Sequence, residues 1–357
     1  MSPMPISPRA APLRGLRADL SQCTVSGLSS GAFMAVQLHL AHSASFVGAG
    51  VVAGGPYRCA ESFRAGSVLA GDAYVQGALF ICMNPLIPAA GPDAARLVDV
   101  ARETAARGDI DPLHHVKDHR LYIFTGTEDQ VVQSSVVRTT EHFYRLLGVA
   151  PAHLLMVDDQ PAGHALITTN LEDNALAANA PPYLNQWPED APGEMQSWTI
   201  LKHLHPGLQP PAERLSGRLV RFDQSEFFGD EGACCFSPYG YAYVPRAVEE
   251  GRVAPRVHVA LHGCKQGYNH VDLTHGRPDR ANDAPYGNRF MTTTGYNEMA
   301  DTNGLVVLYP QVEGVDDGLI QNPEGCWDWW GYSATDYYSQ KAPQIRTLYR
   351  MLQRLGE

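Results

Sequence analysis

The run Gly27-Leu28-Ser29-Ser30-Gly31 stands where a short β-prone stretch, Cys23-Thr24-Val25-Ser26, gives way to a good helix former, Ala32 to His42. Few backbones tolerate that succession. A chain that turns from strand to helix around a serine brings the residues on either side into collision unless they are glycine, and it lifts the hydroxyl to the rim of a sheet. Phe33, Met34, Val36 and Leu40 then fall close to helical spacing. A Gly-x-Ser-x-Gly pattern recurs by chance in Gly/Ser-rich loops, but here strand, sharp turn and helix supply the context it needs.

The rest of the first half alternates strand and helix. Phe46 to Tyr57 reads as the next parallel strand, running into a Gly-Pro turn, and residues 60–115 as helix and loop. Arg120 to Phe124 is a buried strand emptying into the polar turn Thr125 to Asp129, and a helix is predicted from Ser134 to Leu147. Ala152 to Val157 is another strand, with Gly163-His164 in the loop beyond it. Residues 181–211 are proline-rich, carry Trp187, Trp198, His203 and His205, and read as an inserted helix with flanking linkers. Arg218–Phe222 and Gly240–Pro245 then look like antiparallel edge strands, and Arg256–Cys264 like a core strand ending in His262-Gly263. A helix over Arg289–Asp301, a strand over Leu305–Pro310 and a last helix over Gln344–Leu355 complete the pass.

One detail of order matters. In α/β-hydrolases the loop that supplies oxyanion donors precedes the serine turn, whereas His262-Gly263 follows it here by more than two hundred residues. Placing residues 218–357 ahead of residues 20–170 restores the expected order. The predicted fold is therefore a circularly permuted α/β-hydrolase, with a mostly parallel central sheet flanked by helices, a rearrangement tolerated where termini lie close together at the surface. We expect one domain over residues 16–357, residues 181–215 as insertion or linker, and a flexible start over residues 1–15. Two separate domains with an accidental His-Gly turn are the alternative.

Composition narrows the partners. Lys plus Arg is 27 against 38 for Asp plus Glu, a formal charge of −11, and no compact basic stripe appears. That argues against a nucleic-acid partner and suits a neutral or apolar one. The longest apolar stretches, such as Leu305–Leu308, stop well short of a membrane span. The start has neither a charged region nor an apolar core of signal-peptide length. Seven cysteines are many for a cytosolic enzyme, and Cys59, Cys82, Cys264 and Cys326 leave room for two bridges. We expect an extracellular or periplasmic protein whose leader has been removed.

An ester-cleaving serine needs a base, an acid to orient it and two backbone donors for the oxyanion. Ser29 is the candidate nucleophile, Asp129 the acid and His164 the base, in the chain order Ser, Asp, His of this fold class. Glu128 competes with Asp129, and thirteen other histidines compete with His164. The amides of Ser30 and Cys264 are the candidate oxyanion hole. The ring of His262 is expected to hydrogen-bond its own loop. His114-His115 and His39…His42 lack partners at ligand spacing, so no metal site is expected. In Cys326-Trp327-Asp328-Trp329-Trp330, three large rings within four positions suggest that at least one faces a cleft.

With these residues assembled, the chain resembles the poly(3-hydroxybutyrate) depolymerases of the single-domain, circularly permuted type. The resembling pieces are Val25–Gly31 with Phe33-Met34-Ala35; Ala53–Tyr57 with Cys59; Gly126–Asp129; His164; Val259–Cys264; Gly295-Tyr296-Asn297 through Asn303; Tyr309-Pro310-Gln311; and Asn322-Pro323 through Trp329. They span nearly the whole chain. The resemblance implies the same triad and the same two oxyanion amides, bridges Cys59–Cys82 and Cys264–Cys326, and tryptophans among Trp327, Trp329 and Trp330 touching a polyester polymer or oligomer. It implies no cofactor and a monomer. Residues 181–215 depart from the family pattern, and Cys23, Cys234 and Cys235 have no counterpart. A carbohydrate esterase, or a non-catalytic polymer-binding protein in which Ser29 is incidental, are the competing readings.

Overall fold

The computed structural model of the chain describes residues 10–62, 73–268, 270, 288–316 and 321–357. Its strands include β1 (Cys23–Leu28), β2 (Phe46–Val52), β3 (Arg120–Phe124), β4 (Leu154–Val157), β5 (Leu166–Thr168), β6 (Asn174–Ala175), β7 (Leu184–Gln186), β8 (Arg218–Asp223), β9 (Tyr239–Val244), β10 (Arg256–Leu261) and β11 (Leu305–Tyr309). Eight of them form one sheet in the order β4-β3-β2-β1-β10-β11-β9-β8. From β4 to β11 every pairing is parallel, and β9 runs antiparallel between β11 and β8. The amino-terminal strand β1 thus sits mid-sheet, directly beside β10 from the other half. Starting the count at β8 gives the hydrolase sheet with its two antiparallel strands first, which is the permuted arrangement.

Period-two alternation divides the sheet's side chains between two layers. Val25, Val257, Val259, Leu261, Val306 and Leu308 join one core; Leu28, Ala260, Leu305, Val307 and Tyr309 join the other. Helices α1 (Ser30–Ala41), α2 (Ala94–Ala106), α3 (Ser134–Leu146) and, later in the chain, α6 (Pro343–Gly356) cover the first face; α4 (Gln196–Leu204) and α5 (Tyr296–Asn303) cover the second. All twelve residues of α1 are buried, so it is enclosed on every side rather than striped. Under α4 and α5 the sheet carries a buried polar chain. Thr24 Oγ1 meets His205 Nε2 at 3.0 Å and His258 Nδ1 at 2.8 Å, while Ser26 Oγ meets His258 Nε2 at 2.9 Å and the Tyr296 hydroxyl at 2.6 Å.

Three expectations need adjusting. The proline-rich stretch holds the expected helix, α4, but its flank is packed rather than a free linker: Leu184 of β7 is a core residue, as are Ile200, Leu201 and Leu204 of α4. The helix expected over Arg289–Asp301 is broken, because Gly295 takes φ +84°, a left-handed turn that ends one helical segment before α5 begins. Residues 1–9 lie outside the described residues, but from Ala11 the chain is tied down, its amide donating to Arg221 O at 2.9 Å and Leu13 being buried.

Candidate active site

Ser29 links β1 to α1 with φ 55° and ψ −123°. Its amide donates to Val52 O at 2.9 Å, and its carbonyl accepts from Ala32 and Phe33 at 2.8 and 3.0 Å. A Cβ at Gly27 would strike the backbone of Gly31, and one at Gly31 would strike the carbonyls of Leu261 and His262 at the end of β10. Both glycines of the motif therefore answer to backbone contacts. The second brings the serine turn against the strand that leads into His262-Gly263.

Asp129 and His164 occupy the loops after β3 and β4, on the same carboxyl edge of the sheet as Ser29. His164 Nδ1 lies 2.9 Å from Asp129 Oδ2, with the two side chains 2% and 0% exposed. A carboxylate only accepts, so Nδ1 carries the proton, and in the neutral ring Nε2 is the nitrogen left with a lone pair. The other carboxylate oxygen accepts from the Val131 and Val132 amides at 2.8 and 3.0 Å. The two loops are also joined through Thr127 N to Gln160 O at 2.8 Å and Glu128 N to Ala162 O at 3.0 Å. Glu128, the competing acid, is exposed. The Tyr183 ring stands edge-on to His164, centroids 5.6 Å apart at 85°.

Ser29, Ser30 and Cys264 line one cavity of about 670 Å³. Among the described residues, neither the Ser30 nor the Cys264 amide has an acceptor, as expected for a first-turn helix amide at position 30. His262 is spoken for: Nδ1 donates to Gly263 O at 2.7 Å and Nε2 accepts from Val312 N at 3.2 Å. Burial lowers its pKa to about 4, holding the ring neutral in that role. Gln266 fixes the neighbouring turn, accepting from Gly263 N at 2.6 Å and donating to Pro182 O at 2.6 Å. That bond runs to the segment bearing Tyr183, and so toward His164. Cys264 is bridged to Cys326, and Cys59 to Cys82. Both bridges bear on the cavity, since Cys264, Cys326 and Ala78 of the Cys82 segment line it.

The tryptophans part company. Trp329 and Trp330 line the cavity, Trp329 stacking on Phe33 at 3.8 Å and 12°. Trp327 does not fit the expected substrate role: it is fully buried, donates Nε1–H to His262 O at 3.0 Å and packs edge-on against Phe236. Its indole supports the His262-Gly263 loop. Asp328 makes the difference by turning the chain, its carboxylate accepting from the amides of Trp330, Gly331, Tyr332 and Ser333 and from the Ser333 hydroxyl.

The chain is 36% identical over 352 residues to a poly(3-hydroxybutyrate) depolymerase of Delftia acidovorans, matching 97% of this chain and 62% of that protein. It is 30% identical over 348 residues to a polyhydroxybutyrate depolymerase of Talaromyces funiculosus, matching 94% of this chain and 88% of that one. The chain belongs to the polyhydroxybutyrate depolymerase family. Solved structures agree: the depolymerase from Penicillium funiculosum superposes with TM-score 0.78 at 27% identity, covering 97% of this chain and 99% of the other. A serine-to-alanine depolymerase in complex with an R3HB trimer superposes equally well, TM-score 0.78 at 26% identity over the same shares. No protein-family model matches the chain.

Within this depolymerase fold, several residues at the site went unread in the sequence. Asn179 and Gln266 act across loops far apart in the chain, so no local pattern marks them. Val75 and Leu79 form an outer apolar wall, 42% and 45% exposed, in a stretch that reads only as helix and loop. Among the described residues, the cluster of metal-ligand type is Cys264, Glu324 and Cys326, whose sulfurs are joined to each other and offer no thiolate. Cys23 and Cys234 lie outside both bridges; burial raises the Cys23 thiol to about 12 and Cys234 to about 11, which keeps both protonated. No helix among the described residues is long and apolar enough to cross a membrane.

Proposed function

We propose that this chain is a serine esterase that hydrolyses the ester bonds of poly(3-hydroxybutyrate) and of 3-hydroxybutyrate oligomers. The observation that carries the reading is the buried Asp129–His164 hydrogen bond, 2.9 Å long, on the sheet edge where the Ser29 turn also stands. In this reading His164 Nε2 takes the Ser29 proton as Oγ attacks the ester carbonyl. The developing oxyanion is met by the amides of Ser30 and Cys264. The imidazolium, stabilised by Asp129, gives its proton to the departing hydroxyl of the next monomer unit. Water, deprotonated by the same ring, then releases the acyl group from Ser29.

Substrate choice follows from the cavity wall. Phe33, Leu79, Trp329 and Trp330 offer apolar and aromatic surface, suited to an uncharged, methyl-bearing polyester rather than to a hydroxyl-rich sugar chain. The names of the relatives point the same way. Two disulfide bridges support an oxidising location, extracellular or periplasmic.

The test compares wild type with Ser29→Ala on 3-hydroxybutyrate trimer, amorphous poly(3-hydroxybutyrate) and acetylated xylan. Wild type should cleave the two hydroxybutyrate substrates in preference to xylan ester, and the variant should lose at least about 10³-fold in kcat. Undiminished hydrolysis by the variant, or preference for acetylated xylan, would overturn the proposal.

A further inference from the structure

We propose that Asn179 is the positioning residue of the Asp129–His164 pair, an inference that rests on the catalytic reading above. The acid and the base stand 35 residues apart on different loops. A hydrogen bond between two loops holds its length only if something fixes the loops to each other. Asn179 belongs to neither; it lies between β6 and β7 of the small parallel sheet β5-β7-β6. Its Oδ1 accepts from His164 N at 2.9 Å and from Gln130 N at 3.0 Å. Its Nδ2 donates to Glu128 O at 2.9 Å and Ala177 O at 3.2 Å.

Two accepted and two donated bonds use the whole capacity of a primary amide. The amide orientation is thereby fixed, since the flipped group would set N–H against N–H and oxygen against oxygen. Its partners include the residues on both sides of Asp129 and the backbone of His164 itself. Behind it, the buried side chain of Asn185 in β7 donates to Leu176 O and Ala178 O, each at 2.8 Å, while Leu176 O also accepts from Gly163 N at 2.8 Å. The small sheet therefore serves as a platform. Asn185 anchors the 176–178 backbone, and Asn179 reaches from it to the acid loop and the base loop together.

The experiment measures kcat and KM on soluble hydroxybutyrate trimer, thermal midpoint, and the far-downfield NMR signal of the His164 Nδ1 proton. Wild type, Asn179→Ala, Asn179→Asp and Asp129→Asn are compared. Asn179→Ala should lose about 10- to 100-fold in kcat, as a small misplacement of the base does, with KM unchanged and the downfield signal broadened or moved upfield. Asn179→Asp, which keeps both accepted bonds, should recover part of the loss. If the alanine variant does not fold, Asn179→Asp against wild type carries the test, with a smaller kcat loss and the same direction of signal change. Wild-type kcat in Asn179→Ala, or a kcat loss with an unmoved signal, would overturn the inference. Full activity in Asp129→Asn would instead overturn the catalytic reading, so the two failures are told apart.

Discussion

Position 29 carries two opposed demands. Its φ and ψ of 55° and −123° lie where only glycine rests without strain, yet the chemistry proposed there needs a hydroxyl. The turn is held by the Ser29 amide on Val52 O and by the first turn of α1. Strain of this kind costs roughly 1–3 kcal/mol. Ser29→Gly should therefore raise stability by about 1 kcal/mol while abolishing ester hydrolysis, as read by urea unfolding beside an activity assay. An unchanged or lower unfolding midpoint would show that the turn stores no strain. The three tryptophans make the complementary point. Trp327, Trp329 and Trp330 are near neighbours in sequence, yet their environments diverge across the tight turn in which the Asp328 carboxylate gathers the amides of residues 330–333.

Elements differ in how openly the sequence displays them. Strands β2 and β11 are runs of apolar and small residues, and parallel burial on both faces makes such runs legible. The late His262-Gly263 revealed the permutation because strand order in this fold is tied to the order of the catalytic loops. Asp129 and His164 could be read because each follows the carboxyl end of a strand, the edge where open α/β sheets keep their sites. The small sheet could not: β5, β6 and β7 are two or three residues long, too short for any period to register. Asn179 was hidden for a different reason, since three of its four partners lie far off in sequence at positions 128, 130 and 164. The break at Gly295 was missed because a lone glycine is also tolerated inside helices.

At the scale of the whole molecule, histidine burial sets the response to acid. Burial lowers His42, His119 and His262 from 6.5 to about 4 and His205 to about 3, and it pushes His39 and His258 down as well. The unfolded chain protonates these rings near 6.5, whereas the native state resists until far lower pH. Between those values the unfolded state binds more protons, so stability falls as pH falls and levels off once the folded rings also protonate. Burial lowers His203 too; Asp173, Glu298 and Asp328 are raised by burial and oppose the trend, but three carboxyls face seven histidines. The urea midpoint should be flat between about pH 7 and 8 and drop progressively from about pH 6.5 to 4. An unchanged or higher midpoint at low pH would contradict this.

In the proposed mechanism, side chains from three loops act as one proton relay on the hydroxyl of Ser29. Labelling with an organophosphonate tests it most directly, with the adduct located by peptide mass spectrometry and hydrolysis followed in parallel. A single adduct is expected on the Ser29 peptide, accumulating as activity disappears, and slowed at least about 10³-fold in His164→Ala. An adduct elsewhere, or complete modification of Ser29 with ester hydrolysis intact, would contradict it.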